Sequence, residues 1–133
     1  MNTSKQDSLS AISDLAGRVG ISLIFLLAGL NKIQYYDGNV QYLVSGGLPE
    51  WMMPLAIAFE IGAALLIIIG LFTRLTALAV AGFSILTALL YHANFADQMQ
   101  FIMFFKNIAI AGGFLMLFAN GAGRYSIDAK RSN

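Results

Sequence analysis

Of the chain's 133 residues, 58% are hydrophobic and 11% charged, with a mean hydropathy of +0.71, against about 25% charged in an average soluble domain. Such a chain belongs in a bilayer with little outside it, and a net charge of +1 with no basic cluster among aromatics argues against nucleic acid as a partner. The lack of cysteine excludes disulfides, thiol relays and iron–sulfur ligation, and a single histidine leaves no conventional zinc set.

Residues 1–18 place Lys5 ahead of Asp7 and Asp14. The apolar run that follows ends in Asn31-Lys32 rather than in a small-residue cleavage pattern, so we expect an uncleaved first span over 15–33 behind a short tail, 1–13. Arg18, Ser22, Phe25, Gly29 and Lys32 recur at helical spacing, so the polar and small residues share one stripe. Arg18 near one end and Lys32 near the other are both able to snorkel, and Arg18 and Arg74 read most simply as anchors on the inner side. Between 34 and 50, Tyr35, Tyr36 and Tyr42 suit the headgroup level, Trp51 continues that belt, and Gly46-Gly47 and Pro49 are breakers. An interfacial loop with a short helix near 40–44 is expected.

The second span, 52–72, lies within the apolar stretch 51–74 around which the chain is organised, because Glu60 sits in its interior. A carboxylate at membrane depth costs about 2.5–3.5 kcal/mol on insertion scales and is normally turned toward a partner or a wet cavity. Ala56, Glu60, Ala63, Ala64 and Ile67 share its face, small side chains that let a neighbouring backbone approach. Thr73-Arg74 reads as a minimal turn into the third span, 75–91, whose stripe holds Thr76, Val80, Ser84, Thr87, Ala88 and Tyr91. A polar connection, 92–100, leads to the fourth span, 101–119, with Lys106, Asn107, Ile110, Gly113 and Leu117 as its stripe. Phe101, Met103, Phe104 and Phe105 read as a lipid-facing belt rather than a cofactor box. Gly121-Ala-Gly123 has no preceding strand and is set aside as a phosphate loop. The tail, 121–133, is expected to be short and exposed.

Four such spans bury their stripes only against one another. The fold class is therefore all-α: a polytopic membrane protein, an antiparallel four-transmembrane-helix bundle with short loops, forming a single domain over 1–133. With the N-terminus cytoplasmic, Lys5, Arg18, Arg74, Arg124, Lys130 and Arg131 fall on that side and only Lys32 and Lys106 on the other, so both termini are expected in the cytoplasm.

Depth then selects a partner for Glu60. At about 1.5 Å per residue from the outer end of each span, Glu60 lies roughly 12 Å deep, Lys106 roughly 9 Å and Arg18 roughly 22 Å. Glu60 is therefore expected to pair with Lys106, with Asn107, Tyr91, His92 and Lys32 nearer the outer mouth. Two readings of this cluster stay open: a cross-brace that holds the helices together, or a ligand or proton site, since intramembrane ionisable residues mark functional positions. A cavity with apolar walls and a few polar groups at its outer end suits the ring of an isoprenoid quinone or another small amphiphile. His92, at a helix end, reads more simply as an exposed histidine.

Taken in order, Arg18, Gly29-Leu-Asn-Lys32, Gly47-Leu-Pro49, Glu60 with Gly62, Gly70-Leu-Phe-Thr-Arg74, Lys106-Asn107 and Gly121-Ala-Gly-Arg-Tyr-Ser-Ile-Asp128 make the chain, from about Asp14 to Asp128, resemble the DoxX family of small four-span membrane proteins. The resemblance implies a bacterial inner-membrane location and, as in some relatives, association with an oxidoreductase, including a membrane subunit similar to the quinone-reacting part of a thiosulfate:quinone oxidoreductase. Glu60 and Lys32 fall on matching motif positions. No cofactor motif is present, so a redox role calls for a quinone or a partner subunit. The alternative is a non-enzymatic membrane scaffold or assembly factor, alone or as a homo-oligomer among membrane lipid. A small transporter is disfavoured by the number of spans.

Overall fold

The computed structural model describes residues 3–131. Helix α1, Thr3–Gln34, is followed by α2, Tyr36–Ser45, and by a single 3-10 turn, Glu50–Met52, that leads directly into α3, Met53–Ile69. Then come α4, Thr73–Tyr91, α5, Gln98–Asn120, and a short α6, Ile127–Arg131. Among these, α1, α4, α5 and the continuous stretch Glu50–Ile69, formed by the 3-10 turn and α3, are each long and apolar enough to cross a membrane.

Helices α1 and α4 run away from the end that carries the termini, and α3 and α5 run back. The most extensive packing is α1 on α3 and α4 on α5, and the two pairs meet less closely. The apolar core, with Ala63, Ile67, Ala77, Val80, Ala81, Ala111 and Phe114, fills the half nearer the termini. Leucines and isoleucines on the other faces, such as Leu27, Leu75 and Leu89, stay exposed. In a membrane that exposure is to lipid, so helix association rests on close packing and polar contacts rather than on removing apolar surface from water.

The expected stripes are the buried ones in α1, α3 and α4, where Ser22, Glu60 and Ser84 are all within 4% of complete burial. The fourth is rotated. Ala111 and Phe114 are the buried residues of α5, which turns Lys106 to the edge of the interface and leaves it exposed. Helical spacing specifies a stripe, but neighbours at 106–107 and 110–111 compete for its centre, and the bulk of Phe114 against Phe25 decides the rotation, with ring centroids 5.7 Å apart.

Three expectations change at the termini-bearing end. First, α1 starts at Thr3, so residues 3–13, expected to form a separate tail, are helical and continuous with the first span. Second, the turn between α3 and α4 falls at 70–72 rather than at Thr73-Arg74. Gly70 adopts φ +74°, and its N–H, with that of Leu71, returns to the carbonyls of Leu66 and Ile67, a Schellman-type stop that favours glycine. Third, the tail through Arg131 is tied down, although Arg124, Tyr125, Ile127, Lys130 and Arg131 are exposed as expected. Asp128 accepts hydrogen bonds from the Phe72 and Thr73 backbone N–H groups at 2.9 and 2.8 Å, capping α4 from 55 residues downstream, while its own N–H donates to the Gly70 carbonyl. Phe72, held at φ +51°, is covered by the Arg131 guanidinium 5.0 Å above its ring.

Arg18, expected to be an anchor reaching for the membrane surface, is 1% exposed. Its guanidinium donates to the carbonyls of Ile67, at 3.1 Å, Ile68, at 3.3 Å, and Tyr125. The last carbonyls of a helix lack i+4 donors; the Gly70 N–H reaches that of Ile67 at 3.1 Å, and a planar, five-donor cation at that negative end adds donors to Ile67 and Ile68 while tying α1, α3 and the tail together. A Cβ at Gly70 would collide with that guanidinium and with Ser126.

Partial burial of Asp128 works against its charge, but hydrogen bonds from Thr73 and Phe72 and the nearby Arg131 outweigh it and hold the carboxyl below its ordinary value of 3.8. A depressed carboxylate contributes stability that is complete above the unfolded value and is lost as pH falls through the folded one. Melts of detergent-solubilised protein should therefore show the Asp128 contribution intact at pH 7 and shrinking below about pH 4. Asp128→Asn should cost about 1 kcal/mol at pH 7, as for loss of a helix cap, and should flatten that acid-side decline.

Candidate functional site

In the half of the bundle away from the core, the α1–α3 and α4–α5 pairs enclose a cavity of about 620 Å³. Its floor is aromatic: Phe59 and Phe83 lie 5.0 Å apart between ring centroids, and Phe25 stands edge-on to Phe83 at 6.3 Å. Its roof is α2, seated on Tyr91 at the end of α4. The Tyr91 hydroxyl donates to the Leu43 carbonyl at 2.8 Å, Tyr42 stacks on its ring at 4.8 Å, and Gly46 packs where any Cβ would enter that ring. Burial pushes the Tyr42 phenol up from its ordinary value of 10.0, so it stays neutral at physiological pH. Tyr91→Phe should cost about 1 kcal/mol and raise amide exchange selectively in α2, a loosening that hydrogen-exchange mass spectrometry would localise.

All six residues singled out in the sequence, Lys32, Glu60, Tyr91, His92, Lys106 and Asn107, line this cavity. The pairing within the set differs from expectation. Glu60, 4% exposed, forms its ion pair with Lys32, Nζ to Oε1 at 3.1 Å. Lys106 has no ion-pair partner among the described residues. Axial depth misled because it ignores lateral distance. Helices α1 and α3 touch at Gly29, where a Cβ would sit 2.5 Å from Ile61 Cγ1, and that close approach places Lys32, one turn further along α1, beside Glu60. The lysine stem then brings its ammonium down to the carboxylate, in the sense opposite to snorkelling.

The remaining members are tied to the walls. Asn107 donates from Nδ2 to the Thr87 hydroxyl at 3.0 Å and to the Ser84 carbonyl at 3.3 Å, cross-linking α5 to α4. His92 is half-buried rather than exposed, and its Nδ1 lies 2.8 Å from Gln100 Oε1. Two buried polar atoms in the cavity wall have no partner, Glu60 Oε2 and Ser84 Oγ. Ser84 was legible only as a stripe residue. Its spacing of two turns from Tyr91 on the same face is the signal that assigns it to the site. The three floor phenylalanines carry no comparable sequence signal, since aromatic residues on a membrane helix face lipid as readily as a cavity.

Among the described residues no three His, Cys, Asp or Glu side chains cluster as metal ligands. The walls are otherwise apolar, and Leu55 of α3 and Leu86 of α4 belong both to the cavity and to the exposed outer surface, at 57% and 51% exposure. The cavity thus communicates with the lipid-facing side between α3 and α4.

Four membrane-crossing helices around a polar-ended apolar cavity define a small polytopic membrane protein. Comparison with known proteins agrees: the DoxX family model matches residues 13–93, and the chain belongs to that family. It is 46% identical to inner membrane protein YqjF of Escherichia coli over 90% of this chain and 92% of that one, and 37% identical to inner membrane protein YphA of the same organism over 87% and 88%. It is also 38% identical to Putative oxidoreductase CatD of Bacillus subtilis, over 48% of each chain. No solved structure matches it.

Proposed function

We propose that the protein is a membrane subunit that offers a quinone-class amphiphile a pocket around Glu60 and presents it to an oxidoreductase partner. The carrying observation is the cavity itself: within the roughly 300–1,000 Å³ of small-molecule sites, apolar along most of its wall, and holding a buried carboxylate with one oxygen paired to Lys32 and the other unsatisfied. A cross-brace alone needs no such space beside it. Lys106 and the Lys32–Glu60 pair supply polar contacts for a head group, the phenylalanine floor stacks against a ring, and the gap between α3 and α4 lets an isoprenoid tail lie in lipid. The oxidoreductase assignment in CatD's name supports the redox side of the reading. Exposed Arg74, Arg124, Lys130 and Arg131 at the termini-bearing end, against exposed Lys106 at the other, favour cytoplasmic termini and a pocket near the outer leaflet.

Native mass spectrometry of the protein extracted from its own membrane tests the reading. A prenylated-quinone mass should accompany the wild type and be lost from Glu60→Gln. Equal adducts on both, or partner-protein masses with no small amphiphile, would transfer the assignment to a scaffold or assembly factor.

A further inference from the structure

Resting on that reading, we infer that the pocket selects the reduced, hydroxyl-bearing form of its ligand over the carbonyl form, because the buried charged oxygen left open in its wall is a hydrogen-bond acceptor, whereas the ammonium of Lys106 belongs to an exposed residue. Glu60 is 4% exposed and its Oε2 has no partner, while Oε1 is engaged by Lys32 at 3.1 Å. A carboxylate oxygen only accepts. A quinone carbonyl only accepts too, so placing it at Oε2 leaves both oxygens unsatisfied and sets two negative dipoles against each other in a poorly hydrated space. A phenolic hydroxyl donates to Oε2 and forms a charge-assisted hydrogen bond there, the stronger kind. Ser84 Oγ, 2% exposed and equally unpartnered, is a second group in the same wall, and a hydroxyl serves it as donor or acceptor. Cationic donors are disfavoured, because Lys32 and Lys106 outnumber Glu60 among the lysine and carboxylate groups of the lining. Neutral hydroxyl heads on an apolar body remain.

The discriminating ligands are para-nonylphenol and its methyl ether, para-nonylanisole, which share the ring and tail and differ in the donor. Titrated into the micelle-embedded protein and read by native mass spectrometry, the phenol should bind about 10-fold tighter than the ether, the factor one charge-assisted hydrogen bond supplies. The double variant Lys32→Gln with Glu60→Gln leaves no buried charge unpaired, and in it the two ligands should bind within about 3-fold of each other. Phenol and ether binding equally to the wild type would overturn the donor preference and leave the amphiphile pocket standing. Binding of neither would overturn the pocket reading itself. A preference that persists in the double variant would overturn the assignment to Glu60, and Ser84→Ala, which removes the other open group, would then be expected to abolish it.

Discussion

Replacing Arg18 with leucine should lower stability by about 3–5 kcal/mol, one of the two largest effects expected of a single substitution in this chain. Three carbonyls, of Ile67, Ile68 and Tyr125, lose the guanidinium at once, and that of Ile67 keeps the Gly70 N–H. All lie where α1, α3 and the tail converge, at a site the arginine occupies at 1% exposure, so water has little access to replace it. Asp14 and Asp128, whose charges act on Arg18, would in addition lose that cation. Arg18→Lys should recover only part of the loss, because a single ammonium lacks the planar fork that reaches carbonyls on two chain segments. Thermal or denaturant unfolding in detergent gives the loss directly. Limited proteolysis should show the segment after Asn120 released first, since Tyr125 is its contact with the guanidinium. If Arg18→Leu melted within about 1 kcal/mol of the wild type, the clamp would be a consequence of the fold and not a cause of it.

Lys32→Leu should be comparably damaging, at about 3–5 kcal/mol, because it strands a carboxylate that is 4% exposed. Glu60→Leu should cost less, since the lysine it frees is 22% exposed at its side chain and reaches the nearer headgroup level by straightening its stem. The informative variant is the double one, Lys32→Leu with Glu60→Leu. An apolar pair of similar volume should regain most of the stability of the wild type, as buried ion pairs commonly do on apolar replacement. Its ligand binding should be lost all the same. That separation of stability from binding distinguishes a pair retained for a head group from a pair retained as a brace. A double variant that stayed as unstable as Lys32→Leu would show that the ion pair holds α1 to α3.

How much of this was legible in the chain depends on the range of the physics involved. The four spans follow from runs of apolar residues and from local breakers, and the buried stripes of α1, α3 and α4 follow from a period of 3.6 residues, so both are written within a few turns of any residue. The collection of Lys32, Glu60, Tyr91, His92, Lys106 and Asn107 around one cavity was legible for the same reason: all are polar residues in, or directly after, the halves of the spans away from the termini. Glu60's need of a basic neighbour was equally plain from the cost of a charge in hydrocarbon. Which neighbour was not. Lys106 and Lys32 differ little in kind, and the choice turned on Gly29 letting α1 close on α3 at Ile61 and on Phe114 setting the rotation of α5. The role of Arg18 was hidden further, because the carbonyls it serves carry no side-chain signature and lie 49 to 107 residues away.

The amino-acid sequence by itself thus determined that the protein crosses the membrane four times, which face of three helices turns inward, and that an acid lies buried where an acid needs a partner. Each of those statements depends on hydrophobicity and helical period, properties a helix has before it meets another. Only the tertiary structure decided that Lys32 answers Glu60, that Arg18 and Asp128 fasten the tail over the α3–α4 turn, and that α2 roofs a space left open between two helix pairs. Those depend on the rotation and lateral approach of whole helices, which a few small or bulky side chains set from far along the chain.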